Sequence, residues 1–178
     1  MGEALYNGLV EAMKSEEKKI HIEFIPGMAS GFSAYEKTIS IGMDYIQSNG
    51  LLHEMFHALQ YYTKGKDAFN KSTLNCEIEA HYAQYLYLKS LPEFKGSYWE
   101  DMYKYDLRLR SIAELDRHLT QFVTASNDQK LNKQLEAVIN AFRTSDDYSD
   151  TLIYRYDPNT GGINTFTLLQ NLIKNCNQ

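Results

Sequence analysis

The sequence predicts an α+β fold that is mostly α-helical, with a small antiparallel sheet packed against one helix and a helical C-terminal half. Two observations support this prediction. Apolar residues recur at helical spacing through most of the chain, whereas residues 20–25 and 35–42 alternate between apolar and polar side chains, as half-buried strands do. The chain of 178 residues has the length of one domain, and no repeat, low-complexity tract or linker divides it. We therefore predict a single domain that spans residues 1–178.

The N-terminal part of the chain alternates between helical and extended patterns. Residues 3–17 predict a first helix, because they carry an apolar stripe at helical spacing that consists of Leu5, Leu9, Val10 and Met13. The first predicted strand stops at Pro26, residues 28–32 are predicted as a loop, and the strand 35–42 follows. The pair Asn49-Gly50 is typical of a turn, and we expect it to lead into the next helix.

Beyond this turn, the pattern is helical as far as the C-terminus. The predicted helices cover residues 51–63, 75–90, 97–124, 131–142 and 165–174, and the predicted loops cover residues 67–74 and 154–162. Gly65 suits the end of the first of these helices, and Pro92 ends the second. The third helix is expected to break near Arg110 or Leu119.

Charge and hydropathy exclude several classes of protein. The net charge is −5 and charges of both signs are spread along the chain, so we expect no nucleic-acid partner. No apolar run approaches the length of a membrane span, and the N-terminus lacks the pattern of a signal peptide. We therefore favour a cytoplasmic protein, although a secreted one would fit if Met1 and Gly2 are a cloning remnant. Cys76 and Cys176 are expected as thiols, and the sequence does not indicate an oligomeric state.

Residues 51–60 contain the pattern His-Glu-x-x-His, which is typical of a metal site. His53 and His57 lie four residues apart, so on a helix they share one face and can offer two imidazole nitrogens to one metal ion. Glu54 can reach a water held by that metal. Apolar residues surround the motif, so we expect the helix to be buried, and a buried Glu needs a partner such as a metal. Zinc suits two imidazoles and a carboxylate, and the chain has to supply that third ligand from another segment.

Twenty residues after His57, the segment Glu77-Ile78-Glu79-Ala80-His81 resembles the second motif of the gluzincins. These are zincin metallopeptidases whose third zinc ligand is a Glu on the helix after the motif helix, in the form Glu-x-x-x-Asp or Glu-x-Glu-Ala-Asp. The resemblance covers residues 51–88. It implies a zincin-like fold, a single metallopeptidase domain and a Zn²⁺ cofactor. Matched by position, it implies that the metal ligands are His53, His57 and Glu77.

The segment departs from the family pattern at His81, which stands where the family has Asp. That Asp accepts a hydrogen bond from a zinc-bound imidazole, and such partners tune the affinity of the ligand for the metal. A neutral His81 can accept the same bond through one ring nitrogen, so we expect it beside the ligands. Two alternatives stay open, because Glu79 could replace Glu77 as the carboxylate ligand and His81 could itself bind the metal.

The resemblance implies a zinc-dependent endopeptidase that acts on a peptide or protein substrate. Zinc lowers the pKa of its bound water toward about 7, and Glu54 takes the proton of that water and delivers it to the leaving amine. Candidates for the donor that stabilises the oxyanion are Tyr154, Tyr156 and His118. The strand 35–42 is the candidate for an exposed sheet edge that pairs with an extended substrate.

The alternative function is a zincin-like binding or regulatory module that is catalytically silent or acts on one partner. This hypothesis is motivated by His81, which stands where the family has Asp, and by the lack of an obvious oxyanion donor. Turnover that is lost with a chelator and restored by zinc would rule out the silent form.

Overall fold

The computed structural model describes residues 2–14, 19–43, 48–122, 128–159 and 168–169. Within these ranges the chain is α+β and mostly helical, as the sequence predicts. The chain divides into two compact units, of which the first comprises Met1–Asn70 with Leu168–Gln178 and the second comprises Lys71–Thr167. The single domain over residues 1–178 stays a prediction.

The described part of the first unit combines helices with a three-stranded sheet. Its elements in chain order are α1 (Gly2–Lys14), β1 (His21–Ile25), β2 (Gly31–Ser33), β3 (Thr38–Gly42), α2 (Ser48–Lys64) and α3 (Lys66–Lys71). The helix α2 carries the His-Glu-x-x-His motif, and it contacts α1, β2 and β3. The predicted packing of the sheet against the motif helix is therefore confirmed. The predicted turn at Asn49-Gly50 is wrong, since both residues lie in the first turn of α2.

The sheet is mixed, and the prediction of an antiparallel sheet was wrong. Its strand order is β1-β3-β2, in which β1 runs parallel to β3 and β2 runs antiparallel to β3. The error arose because residues 28–32 were predicted as a loop, whereas Gly31–Ser33 form a strand. A four-residue turn, 34–37, joins β2 directly to β3 and makes this pair the antiparallel hairpin. The strand β1 then pairs with the opposite side of β3.

The strand β3 is central, so the exposed-edge role predicted for residues 35–42 was also wrong. Neighbouring strands occupy both of its sides, and Ile39 and Ile41 are only 1% and 3% exposed. Among the described strands, β1 and β2 form the edges of the sheet. Gly42 ends β3 at a close approach of the backbone, because a Cβ atom there would collide with the carbonyl oxygen of Met28.

The second unit is helical throughout its described part. It contains α4 (Thr73–Ser90), a 3₁₀ turn (Pro92–Phe94), α5 (Tyr98–Tyr105), α6 (Leu107–Phe122) and α7 (Asp128–Arg143). The helix α4 packs against α6 and α7, and α6 packs against α5 and α7. The predicted helix 97–124 breaks at Asp106, whose carboxylate accepts a hydrogen bond from the backbone N–H of Leu109 at 2.9 Å.

Several other predictions concern the ends of elements. The predicted loop 67–74 instead contains most of α3 and the start of α4, because its polar residues lie on exposed helical turns. Of the predicted closing helix 165–174, only Leu168 and Leu169 belong to the described residues, and both are helical. Cys76 is a buried thiol, and Cys176 lies outside the described residues. No helix in the described ranges combines the length and the apolar character that a membrane crossing requires.

Candidate metal centre

The helix α2 buries the motif together with its apolar residues. Leu52, Phe56, Ala58 and Leu59 occupy positions around the helix, and all four are buried. His53 and His57 are 8% and 6% exposed, and Glu54 is buried to the same degree. Because apolar side chains surround the motif on most sides of the helix, its three polar side chains are withdrawn from bulk water as the sequence predicts.

The two motif histidines point ring nitrogens at each other. The Nε2 atoms of His53 and His57 lie 3.0 Å apart, and the two rings meet edge to face with centroids 4.6 Å apart. Two imidazole nitrogens bound to one tetrahedral zinc ion at about 2.0–2.1 Å would be separated by about 3.3–3.4 Å. A small rotation of either ring would therefore admit a metal ion. The four-residue spacing achieves this convergence within a single helix.

Gln60 forms a hydrogen bond with the second ring nitrogen of His57. The Nδ1 atom of His57 donates to Oε1 of Gln60 at 2.9 Å, and Gln60 is fully buried. Because this oxygen can only accept, the proton lies on Nδ1 and the lone pair lies on Nε2, where it faces His53. Sequence reasoning missed Gln60. The available signal was a polar residue three positions after His57, on the same face of an otherwise apolar helix.

Aromatic rings from α2 and from two elements that the sequence did not predict, β2 and α3, form a wall beside His57. Phe69 of α3 meets the His57 ring edge to face, with centroids 6.4 Å apart. Phe32 of β2 and Tyr61 of α2 pack against Phe69 at centroid distances of 6.4 and 5.7 Å. The wall keeps one side of the imidazole apolar and limits its rotation.

The helix α4 presents a carboxylate and a third imidazole one helical turn apart. A ligand oxygen of Glu77 and a ring nitrogen of His81 lie within 4.8 Å of one another. His81 is buried and Glu77 is half-buried. The four-residue spacing places both on one face of α4, whereas Glu79 falls on a different face and is completely buried.

Tyr148 is a polar partner of His81 that sequence reasoning did not find. Its hydroxyl lies 2.9 Å from Nε2 of His81, and its ring packs on Phe142 with centroids 5.2 Å apart. Burial raises the pKa of Tyr148, and the negative charge of Glu77 raises it further. The phenol is therefore protonated at neutral pH and can donate a hydrogen bond. Tyr148 lies 67 positions after His81, so no local sequence pattern reveals the contact.

The three predicted oxyanion donors have different surroundings. Tyr154 packs edge to face on Tyr148, with ring centroids 4.8 Å apart. Tyr156 lies under the guanidinium of Arg143, whose Cζ atom is 5.9 Å from the ring centroid. His118 is half-buried on α6. Their predicted roles stay predictions.

Each of the two helices offers a pair of possible metal donors. His53 and His57 on α2 supply two imidazole nitrogens, and Glu77 and His81 on α4 supply a carboxylate oxygen and a third imidazole nitrogen. Imidazole and carboxylate donors suit zinc. The assignment of His53, His57 and Glu77 as the ligands stays a prediction.

Comparisons of the chain with protein-family models, with curated proteins and with solved structures found no match. The gluzincin resemblance therefore stays an expectation that depends on residues 53–57 and 77–81. The chemistry of the site therefore follows from its own side chains.

Proposed function

We propose that this chain is a zinc-dependent peptidase, in which His53, His57 and Glu77 bind the metal and Glu54 is the general base. The observation that carries this proposal is the convergence of the two Nε2 atoms at 3.0 Å, with the other nitrogen of His57 engaged by a buried amide. A packed helix does not need two imidazoles that face one point, whereas a metal ion does. The carboxylate of Glu77, one helical turn from the imidazole of His81 on α4, supports it further as a donor of the type that completes a zinc site.

Glu54 has the chemistry and the position of a proton carrier. When bound, zinc lowers the pKa of a coordinated water toward about 7 and polarises the substrate carbonyl. Glu54 follows His53 directly on α2 and is buried, so its carboxylate is directed by the same helix that orients the imidazoles. It accepts the proton of the water and delivers it to the amine that leaves when the peptide bond breaks.

Tyr148 replaces the three tyrosine and histidine candidates as the proposed donor toward the developing negative charge. Its hydroxyl bonds His81 one helical turn from Glu77, and its pKa is raised, so it keeps its proton at neutral pH. His81 occupies the position of the family's Asp, and with its proton on Nε2 it donates to the Tyr148 oxygen, which leaves the phenol proton for the substrate. A protonated donor near the carbonyl oxygen lowers the energy of the transition state, because negative charge develops there.

The substitution Glu54→Gln tests the proposal. We expect the variant to bind zinc with the stoichiometry of the parent, because Glu54 is not a ligand, and to lose peptide cleavage, because a carboxamide cannot accept the proton. Metal content by elemental analysis and cleavage of a peptide library measure the two properties. The exposed Glu93→Gln provides a control with the same chemical change. Unchanged cleavage in Glu54→Gln would contradict the proposal, as would a parent protein that binds no zinc.

The second candidate function is a closed metal site in a binding module without catalysis. The observation that favours it is the position of His81 one helical turn from Glu77, where its ring nitrogen lies within 4.8 Å of the Glu77 carboxylate. If His53, His57, Glu77 and His81 all bind the ion, four protein ligands fill a tetrahedral sphere and leave no position for water.

The substitution His81→Ala separates the two candidates. In a closed site it removes a ligand, so zinc affinity falls by orders of magnitude. In the peptidase, zinc stays bound at full stoichiometry and turnover falls, because Tyr148 loses its partner. Zinc affinity by chelator competition and peptide turnover, measured on the same preparation, distinguish these results.

A further inference from the structure

A cavity of about 360 Å³ opens in the second unit, between α4, α5 and α6. Three aromatic rings line it, from Tyr85, Phe94 and Tyr103. Their centroids lie 4.7 Å apart for the two tyrosines, and 6.3 and 6.2 Å from Phe94 to Tyr85 and Tyr103. This volume lies at the lower end of the range for small-molecule pockets, about 300–1,000 Å³. The planes of these rings are inclined to one another by 47° to 77°, so the cavity is lined by ring edges and parts of ring faces, against which an aromatic ring can pack edge to face.

Charged side chains also line the cavity, and cations outnumber carboxylates among them. They are Lys104, Arg110, Arg117, Glu100 and Glu114. Both arginines share one carboxylate oxygen of Glu114, at 4.0 Å from Nε of Arg110 and 3.7 Å from Nη2 of Arg117. Charge-assisted hydrogen bonds measure about 2.7–2.9 Å, so both pairs are loose. The carboxylate of a bound molecule could approach the guanidinium groups more closely than the Glu114 carboxylate does.

The lysine of the cavity is also loosely paired. Nζ of Lys104 lies 3.5 Å from Glu100 and 3.3 Å from Asp101. Glu100 accepts a short hydrogen bond of 2.6 Å from the backbone N–H of Gly96, so one of its oxygens is committed to the turn before α5. The ammonium therefore has contacts with two carboxylates at long distance, and it can reorient toward an added anion.

We propose that this cavity binds a small aromatic carboxylate. The ring packs against Tyr85, Phe94 and Tyr103, and the carboxylate pairs with Arg110 and Lys104. The site lies within the second unit, and none of its lining residues belongs to the proposed metal centre. The proposal therefore does not depend on the peptidase function.

Three small molecules with the same ring and different charges test the proposal on the full chain. The probes are 4-hydroxyphenylacetate, its neutral amide and the cation tyramine, titrated by isothermal calorimetry or by ligand-observed NMR. We expect saturable binding of the acid, at least tenfold weaker binding of the amide and weaker binding still of tyramine. Equal binding of all three probes, or no saturable binding of the acid at millimolar concentration, would overturn the proposal.

Variants of the lining residues locate the binding. Arg110→Gln should weaken binding of the acid at least tenfold and leave the amide unchanged, because only the charged group pairs with the guanidinium. The Arg110 side chain is 49% exposed, so the change does not disturb the core. Lys133→Gln, an exposed change of the same charge on α7, should leave all affinities unchanged. An acid affinity that is the same in Arg110→Gln as in Lys133→Gln would place binding elsewhere and refute the proposal.

Discussion

The Nδ1 atom of His57 lies 2.9 Å from the side-chain oxygen of Gln60, and both residues are buried on α2. This one contact decides which nitrogen of His57 carries the proton. Because the amide oxygen only accepts, the lone pair of the imidazole is left on Nε2, the atom that faces His53. A proposed metal ligand and the group that orients it are therefore supplied by one helix, three residues apart.

The first prediction concerns Gln60. Gln60→Leu keeps the approximate size of the side chain and removes the acceptor, so His57 loses its fixed tautomer and orientation. We expect zinc affinity to fall about 10–100-fold, the usual effect of losing such a partner. Competition with a chromogenic chelator measures the affinity. Gln60→Glu retains an acceptor and should bind zinc at least as tightly as the parent. Equal affinities in Gln60→Leu and the parent would show that the contact does not serve the metal.

The second prediction concerns Tyr148. Tyr148→Phe preserves the ring that packs on Phe142 and on the Arg108 guanidinium, whose Cζ atom is 5.2 Å from the ring centroid. It removes only the hydroxyl that bonds His81. We expect zinc to stay bound and turnover of a peptide substrate to fall roughly 100-fold, the usual cost of losing an oxyanion donor. Tyr154→Phe, on the neighbouring ring, is the matched control, and an equal loss in both variants would argue against a specific role of Tyr148.

The third prediction concerns the end of β3. Gly42→Ala forces a methyl group against the carbonyl oxygen of Met28, so the backbone has to shift. We expect the free energy of unfolding to fall by about 1–3 kcal/mol, as in other overpacked positions. Urea unfolding measures the difference. Gly31→Ala in β2 is the control, since a Cβ there meets nothing within 4 Å, and it should leave stability unchanged or slightly raised. Equal stability of the two variants would contradict the close approach at Gly42.

The fourth prediction concerns alkaline pH. The ammonium of Lys89 donates to the buried carboxylate of Asp116 at 2.7 Å, and this bond raises the pKa of Lys89. Burial raises the pKa of Tyr103. Both folded-state values lie above the unfolded ones, near 10, so their contribution to stability is complete below about pH 10 and is lost as the pH rises through the folded values. We expect the free energy of unfolding to decline steadily above about pH 10.

Asp116→Asn removes the carboxylate that raises the pKa of both Lys89 and Tyr82. Asp116 accepts a hydrogen bond from Tyr82 at 2.9 Å as well as from Lys89, so the variant should be less stable than the parent at pH 7. Its decline at alkaline pH should be shallower, because neither group loses a charged partner. Glu11→Gln breaks the exposed Lys14 pair and should change stability little at any pH. A parent and an Asp116→Asn variant with parallel pH curves would contradict the assignment of the decline to the partners of Asp116.

Local patterns accounted for most of the elements and failed where pairing was long-range. The apolar periodicity of α2 and α4 predicted both helices to within a few residues of their observed bounds. The strand β2 was missed because Gly31–Ser33 is too short for an alternation to be visible. Because β2 was not predicted, the sequence indicated neither the parallel pairing of β1 with β3 nor the central position of residues 35–42 in the sheet. Strand order depends on which segments pair with each other, and no pattern within a five-residue strand predicts its partner.

The sequence by itself determined which side chains share a helical face. The spacing of four residues aligns His53 with His57 on α2 and Glu77 with His81 on α4, because the period of the helix is a local property of the backbone. Only the tertiary structure decided what surrounds them. The partnership of Tyr148 with His81 and the apolar wall of Phe69 and Phe32 beside His57 arise when distant segments pack together. Such contacts follow from the burial of whole elements, which spacing along the chain does not encode.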